Sequence, residues 1–134
     1  MSPRYAAAWM SKSVEVDPAS CPAREPLRMI RHIVLFRWLP DAAPDEIEAA
    51  IERIRGFGAS SPECISLVVA DNIGENPANF DCAVVADFQN ASDYQSYASD
   101  PAHRDVIRQN DALVAAKASI QVETTISPPS SAVV

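Results

Sequence analysis

Two histidines, His32 and His103, are the residues of this chain best suited to acid–base chemistry, and the chain contains no others. Among the side chains, histidine has the unperturbed pKa nearest to neutrality, so an imidazole can accept and return a proton at pH 7. Tyr97, shortly before His103, adds a hydroxyl that can donate a hydrogen bond. Each residue also has a structural interpretation: a backbone hydrogen bond for His32, helix-start packing after Pro101 for His103, and a core aromatic for Tyr97.

The acidic side chains form no convincing paired site. Asp100 and Asp105 flank His103 and raise its pKa if they approach it, but a helix start, where the dipole favours acids, explains them better. Asp81 and Asp87 alternate away from the apolar face of their strand. We therefore expect both of these carboxylates to face solvent.

Three cysteines, Cys21, Cys64 and Cys82, are an odd number and include no C-x-x-C pair. The sequence therefore predicts free thiols in a reducing compartment rather than a disulfide framework or a zinc site. Cys82 shares a strand face with apolar residues and is expected to behave as a small hydrophobe. A metal site made of two histidines and one carboxylate is disfavoured, so no metal is predicted.

Length and charge exclude several classes of protein. A chain of 134 residues is enough for one domain, and 48% apolar residues supply a core. The net charge of 11 − 18 = −7 argues against a nucleic-acid binder and against an anionic membrane surface as partner. No apolar run approaches the ~20 residues of a membrane span, and the N-terminal apolar stretch is too short for a signal peptide. We expect a soluble cytoplasmic protein.

Proline spacing separates the two ends of the chain from its middle. Residues 1–28, interrupted by four prolines, are expected to form a flexible arm, and residues 127–134 a disordered tail. The folded domain is predicted over residues 29–126. Met29 opens the first patterned segment and is an alternative translation start.

Hydrophobic periodicity predicts the elements that must position the candidate residues. Strands are predicted over 31–38, 63–71, 80–88 and 119–125, and helices over 44–57, 91–99 and 102–115. Pro44 suits the first position of a helix, and Asn90 suits an N-cap with Asp93 as its partner. Gly56 and Gly58 are predicted to stop the first helix.

The resulting order is β-α-β-β-α-β, the ferredoxin-like α+β arrangement, with a four-stranded antiparallel sheet and helices on one face. The other face needs a cover, and a second copy of the chain related by twofold symmetry is the simplest one. Two such sheets would close an eight-stranded barrel with room for a small ligand. The sequence thus predicts a homodimeric α+β barrel.

Three stretches in order, Arg31–Phe36 (RHIVLF), Gly74-Glu75-Asn76 and the run from Tyr97 to His103, resemble the Dabb family of stress-responsive dimeric α+β barrel domains. The resemblance covers about residues 30–126. It implies a homodimer without metal or organic cofactor. Plant members include a polyketide cyclase that forms olivetolic acid and a hydroxynitrile lyase.

Carried over by position, the resemblance implies that His103 is the base, that Tyr97 orients or polarises a carbonyl, and that His32 orients His103 or lines the pocket. The chain differs from the cyclase where Asp100 and Cys82 replace histidines. The substrate pocket is expected to involve apolar residues of the strands, which would equally suit a dimer interface: Val34, Phe36, Trp38, Val68, Cys82, Val84 and Phe88.

Two functions follow as hypotheses. The first is a cofactor-independent lyase or cyclase that acts on a small carbonyl or polyketide-like compound by acid–base chemistry in the barrel cavity. The second is a non-catalytic, stress-responsive dimer that binds an apolar small molecule. A heme-handling or monooxygenase relative is a third, weaker alternative.

Overall fold

The computed structural model describes residues 27–126, and it contains four strands and three helices in that range. In chain order they are β1 (Leu27–Trp38), α1 (Pro44–Ser60), β2 (Cys64–Asp71), β3 (Cys82–Phe88), α2 (Ala91–Ser99), α3 (Pro101–Asp111) and β4 (Val114–Ile126). Most of the predicted arm, the predicted tail and Cys21 lie outside the described residues. Leu27 and Arg28, assigned to the arm, belong to β1.

The strands form one sheet in the order β2-β3-β1-β4, which confirms the predicted ferredoxin-like α+β fold. The central strands β1 and β3 run antiparallel, with Ile30 opposite Phe88 and Phe36 opposite Cys82. Residues Ile30–Val122 make one compact unit. In the described part of the second unit, Arg28 lies 3.6 Å from Glu123, and the Thr124 hydroxyl donates to the Met29 carbonyl at 3.4 Å.

Helix α1 begins where the sequence predicts, because Pro44 occupies its first turn and the Glu46 carboxylate accepts from the Ala43 backbone N–H at 3.2 Å. It buries one face against the sheet through Ile51 and Ile54. Side chains of β1 and β3 complete this core from the sheet side. The helices therefore cover one face of the sheet.

Helix α1 does not stop at the predicted glycines but continues through both to Ser60, and neither glycine has a positive φ. Gly58 serves a different purpose, which is close approach. A Cβ at this position would lie 2.5 Å from Leu67 Cδ1 on β2. The missing side chain lets the helix lie directly against the strand.

Helices α2 and α3 each begin with a side-chain cap. The Asn90 side chain accepts from the Asp93 N–H at 2.8 Å, as predicted, and the Asp100 side chain accepts from the Ala102 N–H at 2.8 Å. Pro101 then opens α3. The prediction that this helix runs to residue 115 is wrong: it ends at Asp111 and β4 begins at Val114, because Val114 packs into the sheet core despite the helix-favouring alanines after it.

An irregularity in β2 between Cys64 and Ser66 resets which residues face the helices. Val68 is consequently 56% exposed on the opposite, open face of the sheet, the face expected to meet a second copy of the chain. Asp87 also lies on the open face, yet it is buried rather than solvated. It accepts from Arg31 Nε at 2.8 Å and from the Ser66 hydroxyl at 3.1 Å.

Cys64 and Cys82 are free thiols. Burial raises the pKa of Cys82 to about 11, which disfavours the nucleophilic thiolate. Among residues 27–126, no group of three or more His, Cys, Asp and Glu side chains is arranged to hold a metal ion. None of the described helices has the length and apolar character that crossing a membrane requires.

Candidate active site

A cavity of about 310 Å³ lies between the helix-facing side of the sheet and the helices. It is at the lower end of the ~300–1,000 Å³ range of small-molecule pockets. Its lining combines side chains of β1, β3 and β4 with side chains of all three helices: His32, Val34, Phe36, Ile54, Phe57, Val84, Tyr94, Tyr97, Ala98, His103, Val106, Ile107, Asn110, Asp111, Lys117 and Ser119. Both histidines and Tyr97 thus meet at one cavity.

The cavity is on the side of the sheet opposite to the expected one. The sequence predicts the ligand space inside a barrel made by the sheets of two copies. The lining instead includes Ile54 and Phe57, which are core residues of α1 on the helix side of the sheet. The alternation of β1 sends His32, Val34 and Phe36 towards the helices, which determines where the space lies.

His103 is oriented by the junction between α2 and α3. Its Nδ1 lies 3.3 Å from the Ala98 carbonyl at the end of α2. A carbonyl oxygen can only accept, so Nδ1 carries the proton and Nε2 keeps its lone pair in the neutral ring. Burial lowers the pKa of His103, against weaker opposing effects of the Ala98 carbonyl and Asp100. At pH 7 the side chain is therefore a neutral base.

His32 is held in the opposite tautomer. Its Nδ1 lies 2.9 Å from the side-chain Nε2 of Gln121 on β4. An amide nitrogen donates, so His32 Nδ1 accepts and Nε2–H remains as a donor. Burial, with a smaller repulsion from His103, lowers the pKa of His32 to about 4. The cavity therefore contains one imidazole base and one neutral imidazole donor.

Tyr97 stands at the centre of an aromatic cluster. Its ring centroid is 4.8 Å from both His103 and Phe88 and 5.0 Å from Phe57, and the residue is 3% exposed. Burial strongly raises the pKa of Tyr97, so the phenol keeps its proton. The ring supports the position of His103, and the hydroxyl is a neutral donor.

Tyr94 is a cavity residue that the sequence analysis did not single out. Its ring centroid lies 5.0 Å from that of His32, and burial raises its pKa. Tyr94 and Tyr97 are one helical turn apart on α2, a spacing that places both on one face. This spacing is the signal in the sequence that indicates Tyr94 as a neighbour of Tyr97.

The predicted pocket residues divide into two groups. Val34, Phe36 and Val84 line the cavity. Trp38 and Cys82 do not line it: Cys82 is buried in the adjoining core cluster, and Trp38 stacks on Phe36 with centroids 5.5 Å apart. Both therefore pack against the cluster that contains the lining residues Phe36 and Val84, from outside the cavity.

The cavity opens to solvent along a polar rim formed by Asp111, Lys117 and Ser119, the exposed members of its lining. Lys117 Nζ lies 3.2 Å from Asp111 Oδ1. Asn110, next to the rim, is buried and ties α3 to α1, since it accepts from Arg53 Nε at 2.9 Å and donates to the Ala50 carbonyl at 3.2 Å. The sequence contains no signal for this rim, because its residues carry no motif.

Comparison with known proteins adds a family and a set of structural neighbours. The model of the stress-responsive A/B barrel domain, Dabb, matches residues 30–123. A dimeric ferredoxin-like protein of unknown function from Thermobifida fusca is 30% identical, with a TM-score of 0.66 over 72% of this chain and 92% of its own. No curated protein matches the chain.

Two further structures share the fold at low sequence identity. A Dabb family protein from Mesorhizobium loti is 17% identical, with a TM-score of 0.63 over 71% of this chain and 95% of its own. A hydroxynitrile lyase from Passiflora edulis is 16% identical, with a TM-score of 0.69 over 78% of this chain and 100% of its own. At these identities the likeness concerns the fold.

Proposed function

Since this chain belongs to the Dabb family of stress-responsive A/B barrel domains, we propose that it is a cofactor-independent lyase or cyclase acting on a small carbonyl compound. One observation carries the proposal: the cavity contains His103 with a free Nε2 lone pair and His32 with a free Nε2–H. Proton abstraction beside a carbonyl needs a base and a donor for the developing oxyanion. The two imidazoles offer both.

In the lyase direction, His103 Nε2 takes the hydroxyl proton of a cyanohydrin. The O–H electron pair forms the carbonyl while the bond to the nitrile carbon breaks. Cyanide accepts the proton from His103 and leaves as hydrogen cyanide, so the base is regenerated. In the cyclase direction, the same nitrogen takes a proton α to a carbonyl, the enolate carbon attacks a second carbonyl, and the proton returns to the new alkoxide.

His32 and Tyr97 act as neutral donors in this proposal. Burial keeps His32 Nδ1 without a proton and keeps Tyr97 un-ionised, so both side chains can donate to an oxygen without bringing a net charge. The apolar side chains of Val34, Phe36 and Val84 exclude water from the reacting atoms.

The alternative is a dimer that binds an apolar small molecule without reaction. The deep part of the cavity favours it, since Val34, Phe36, Ile54 and Val84 offer only hydrocarbon or aromatic surface. Binding in that case depends on the apolar walls and not on the protonation of His103.

Turnover of racemic mandelonitrile tests the proposal, because the hydroxynitrile lyase from Passiflora edulis shares the fold. We expect benzaldehyde to be released above the uncatalysed rate, as followed by its ultraviolet absorbance. His103→Gln is expected to lower kcat by about 100-fold or more, the usual contribution of a positioned base. Gln109→Ala, on the exposed side of the same helix, is the matched control and should retain activity.

Equal rates for the wild type and His103→Gln would contradict a base at this position. Absence of turnover, with benzaldehyde bound equally by both proteins, would favour the binding function. Circular dichroism of each variant checks that the fold is intact.

We also propose that the protein is a homodimer joined through the open face of its sheet. Val68, Ile65 and Ile120 are 55–56% exposed, and Val68 and Ile120 project from the face that none of the helices between residues 27 and 126 covers. Exposed apolar sheet surface marks an interaction site. The 30% identical protein from Thermobifida fusca is dimeric.

A further inference from the structure

The polar rim differs in character from the rest of the cavity. Its three residues, Asp111, Lys117 and Ser119, are exposed, whereas the other lining residues are buried or half-buried. The cavity therefore has an interior of mainly apolar side chains around the imidazoles and phenols, and a charged, solvent-facing side. A ligand that fits such a space has an apolar body and a polar head.

Among the lining residues of the described chain, Lys117 is the single lysine and there is no arginine. It alone therefore brings a positively charged side chain of this kind to the cavity. It lies on β4 with Ser119 on the same strand face, and both side chains face the cavity. Both can therefore contact the same part of a bound molecule. An ammonium group and a hydroxyl together suit a carboxylate.

The present partner of Lys117 can be replaced. The side chains of Lys117 and Asp111 are 36% and 55% exposed, and an ion pair this exposed contributes little to stability. A ligand carboxylate can therefore take the place of Asp111, or share the ammonium with it. Lys117 and His103 line the same cavity, so a ligand held by its head group at Lys117 occupies the space that contains the base.

We propose that the cavity selects carbonyl compounds that carry a carboxylate, with the carboxylate bound by Lys117 at the rim and the apolar body inside. This rests on the proposed function, namely that a small carbonyl compound occupies the cavity. It adds the substrate class: an oxo acid with an apolar substituent. Asp111 then competes with the ligand carboxylate for Lys117, whereas a neutral ligand leaves the ion pair of Lys117 and Asp111 in place.

Two aryl ketones that differ in charge test the proposal: acetophenone, which is neutral, and benzoylformate, which carries a carboxylate. Isothermal titration calorimetry measures the Kd of each with the full chain. We expect benzoylformate to bind about three- to tenfold more tightly, as for a partly exposed charge-assisted contact. Lys117→Met should remove this preference, Lys117→Arg should keep it, and Asp111→Asn should increase it.

Arg108→Met is the matched control for net charge. Arg108 lies on α3, its side chain is 73% exposed, it pairs with Asp105, and it does not line the cavity. This variant changes the net charge as Lys117→Met does and should leave the preference intact.

Equal Kd values for the two ketones in the wild type, or a preference that survives Lys117→Met, would overturn the carboxylate site alone. In that case binding of acetophenone still supports a carbonyl ligand in the cavity. If neither ketone binds, both the carboxylate site and the proposed function are contradicted. A preference lost equally in Arg108→Met would show general charge attraction and would also overturn the site.

Discussion

At the scale of single residues, the two cavity histidines differ in which ring nitrogen carries the proton, and their partners explain why. A carbonyl acceptor fixes the proton of His103 on Nδ1, whereas an amide donor leaves that of His32 on Nε2. Both rings are neutral at pH 7 because burial lowers their pKa values. Because its ring is neutral, His103 can act as a base. The same neutrality means that protonation of either ring in acid lowers the stability of the fold.

Stability is expected to fall as the pH drops from about 6.5 to about 4, and His32 is expected to cause much of the loss. Its pKa is 6.5 in an unfolded chain and about 4 in the fold, so between these values the unfolded chain binds a proton that the folded chain does not. Above pH 6.5 the effect is absent, and below pH 4 it is complete. The full difference is on the order of 3 kcal/mol.

Urea unfolding at pH 7.5 and pH 4.5 measures this loss. The change in unfolding free energy between the two pH values should be clearly smaller for His32→Gln than for the wild type. His103→Gln serves as the comparison, since its pKa is lowered in the same direction. Parallel losses in the wild type and His32→Gln would show that His32 is not the group responsible.

At the scale of elements, the sequence predicts what local chemistry determines. The start of α1 at Pro44, the Asn90 cap and the break before Pro101 each depend on neighbouring residues, and the structure has them where they are predicted. The end of α3 and the irregularity after Cys64 depend instead on packing between distant segments. Local propensity carries no information about such contacts.

The same division applies to the candidate site. His32, Tyr97 and His103 were selected from their chemistry and motif positions, and they do meet at the cavity. Lys117 was missed because it precedes the predicted start of β4 at residue 119. Gln121 was missed because the register of β4 against β1 is a property of the whole sheet. A side chain without a motif becomes part of a site only through such pairing.

Two glycines of α1 are expected to respond in opposite ways to the same substitution. Nothing lies within 4 Å of a Cβ at Gly56, so Gly56→Ala should stabilise the protein by up to about 1 kcal/mol through helix propensity. A Cβ at Gly58 would lie 2.5 Å from Leu67 Cδ1 and 3.3 Å from Leu67 Cβ. Gly58→Ala should therefore destabilise the protein by about 1–2 kcal/mol through overpacking.

Thermal or urea unfolding of the two variants gives the comparison, with each glycine acting as the control for the other. Leu67→Ala removes the atoms that a new Cβ at residue 58 would meet. Gly58→Ala should therefore cost less stability in the Leu67→Ala background than in the wild type. Equal stabilisation by both glycine variants would show that α1 does not need its close approach to β2.

At the scale of the whole molecule, the sheet separates two surfaces with different tasks. One face, with the helices, encloses the cavity, and the other presents exposed apolar side chains such as Val68 and Ile120. The proposed dimer would use the second face and leave the first untouched. The proposed dimer interface and the cavity thus lie on opposite faces of the sheet.

Val68→Lys is expected to shift the protein towards monomer, because it places a charge in the apolar part of the open face. Size-exclusion chromatography with light scattering measures the mass. Ala49→Lys, on the exposed side of α1, introduces the same charge away from the sheet and should leave the mass unchanged. A dimeric mass for Val68→Lys at micromolar concentration would rule out this face as the interface.

Both histidines, Tyr97 and Lys117 reach the cavity within one chain, and this has a consequence for how a dimer would respond to its ligand. Each subunit would carry a complete site, with the sheet and the partner's sheet standing between the two ligands. Occupancy of one site then has no contact through which to alter the other. Saturation should follow a simple hyperbola with a Hill coefficient of about one, and a mixed dimer of one active and one inactivated subunit should work at half the full rate.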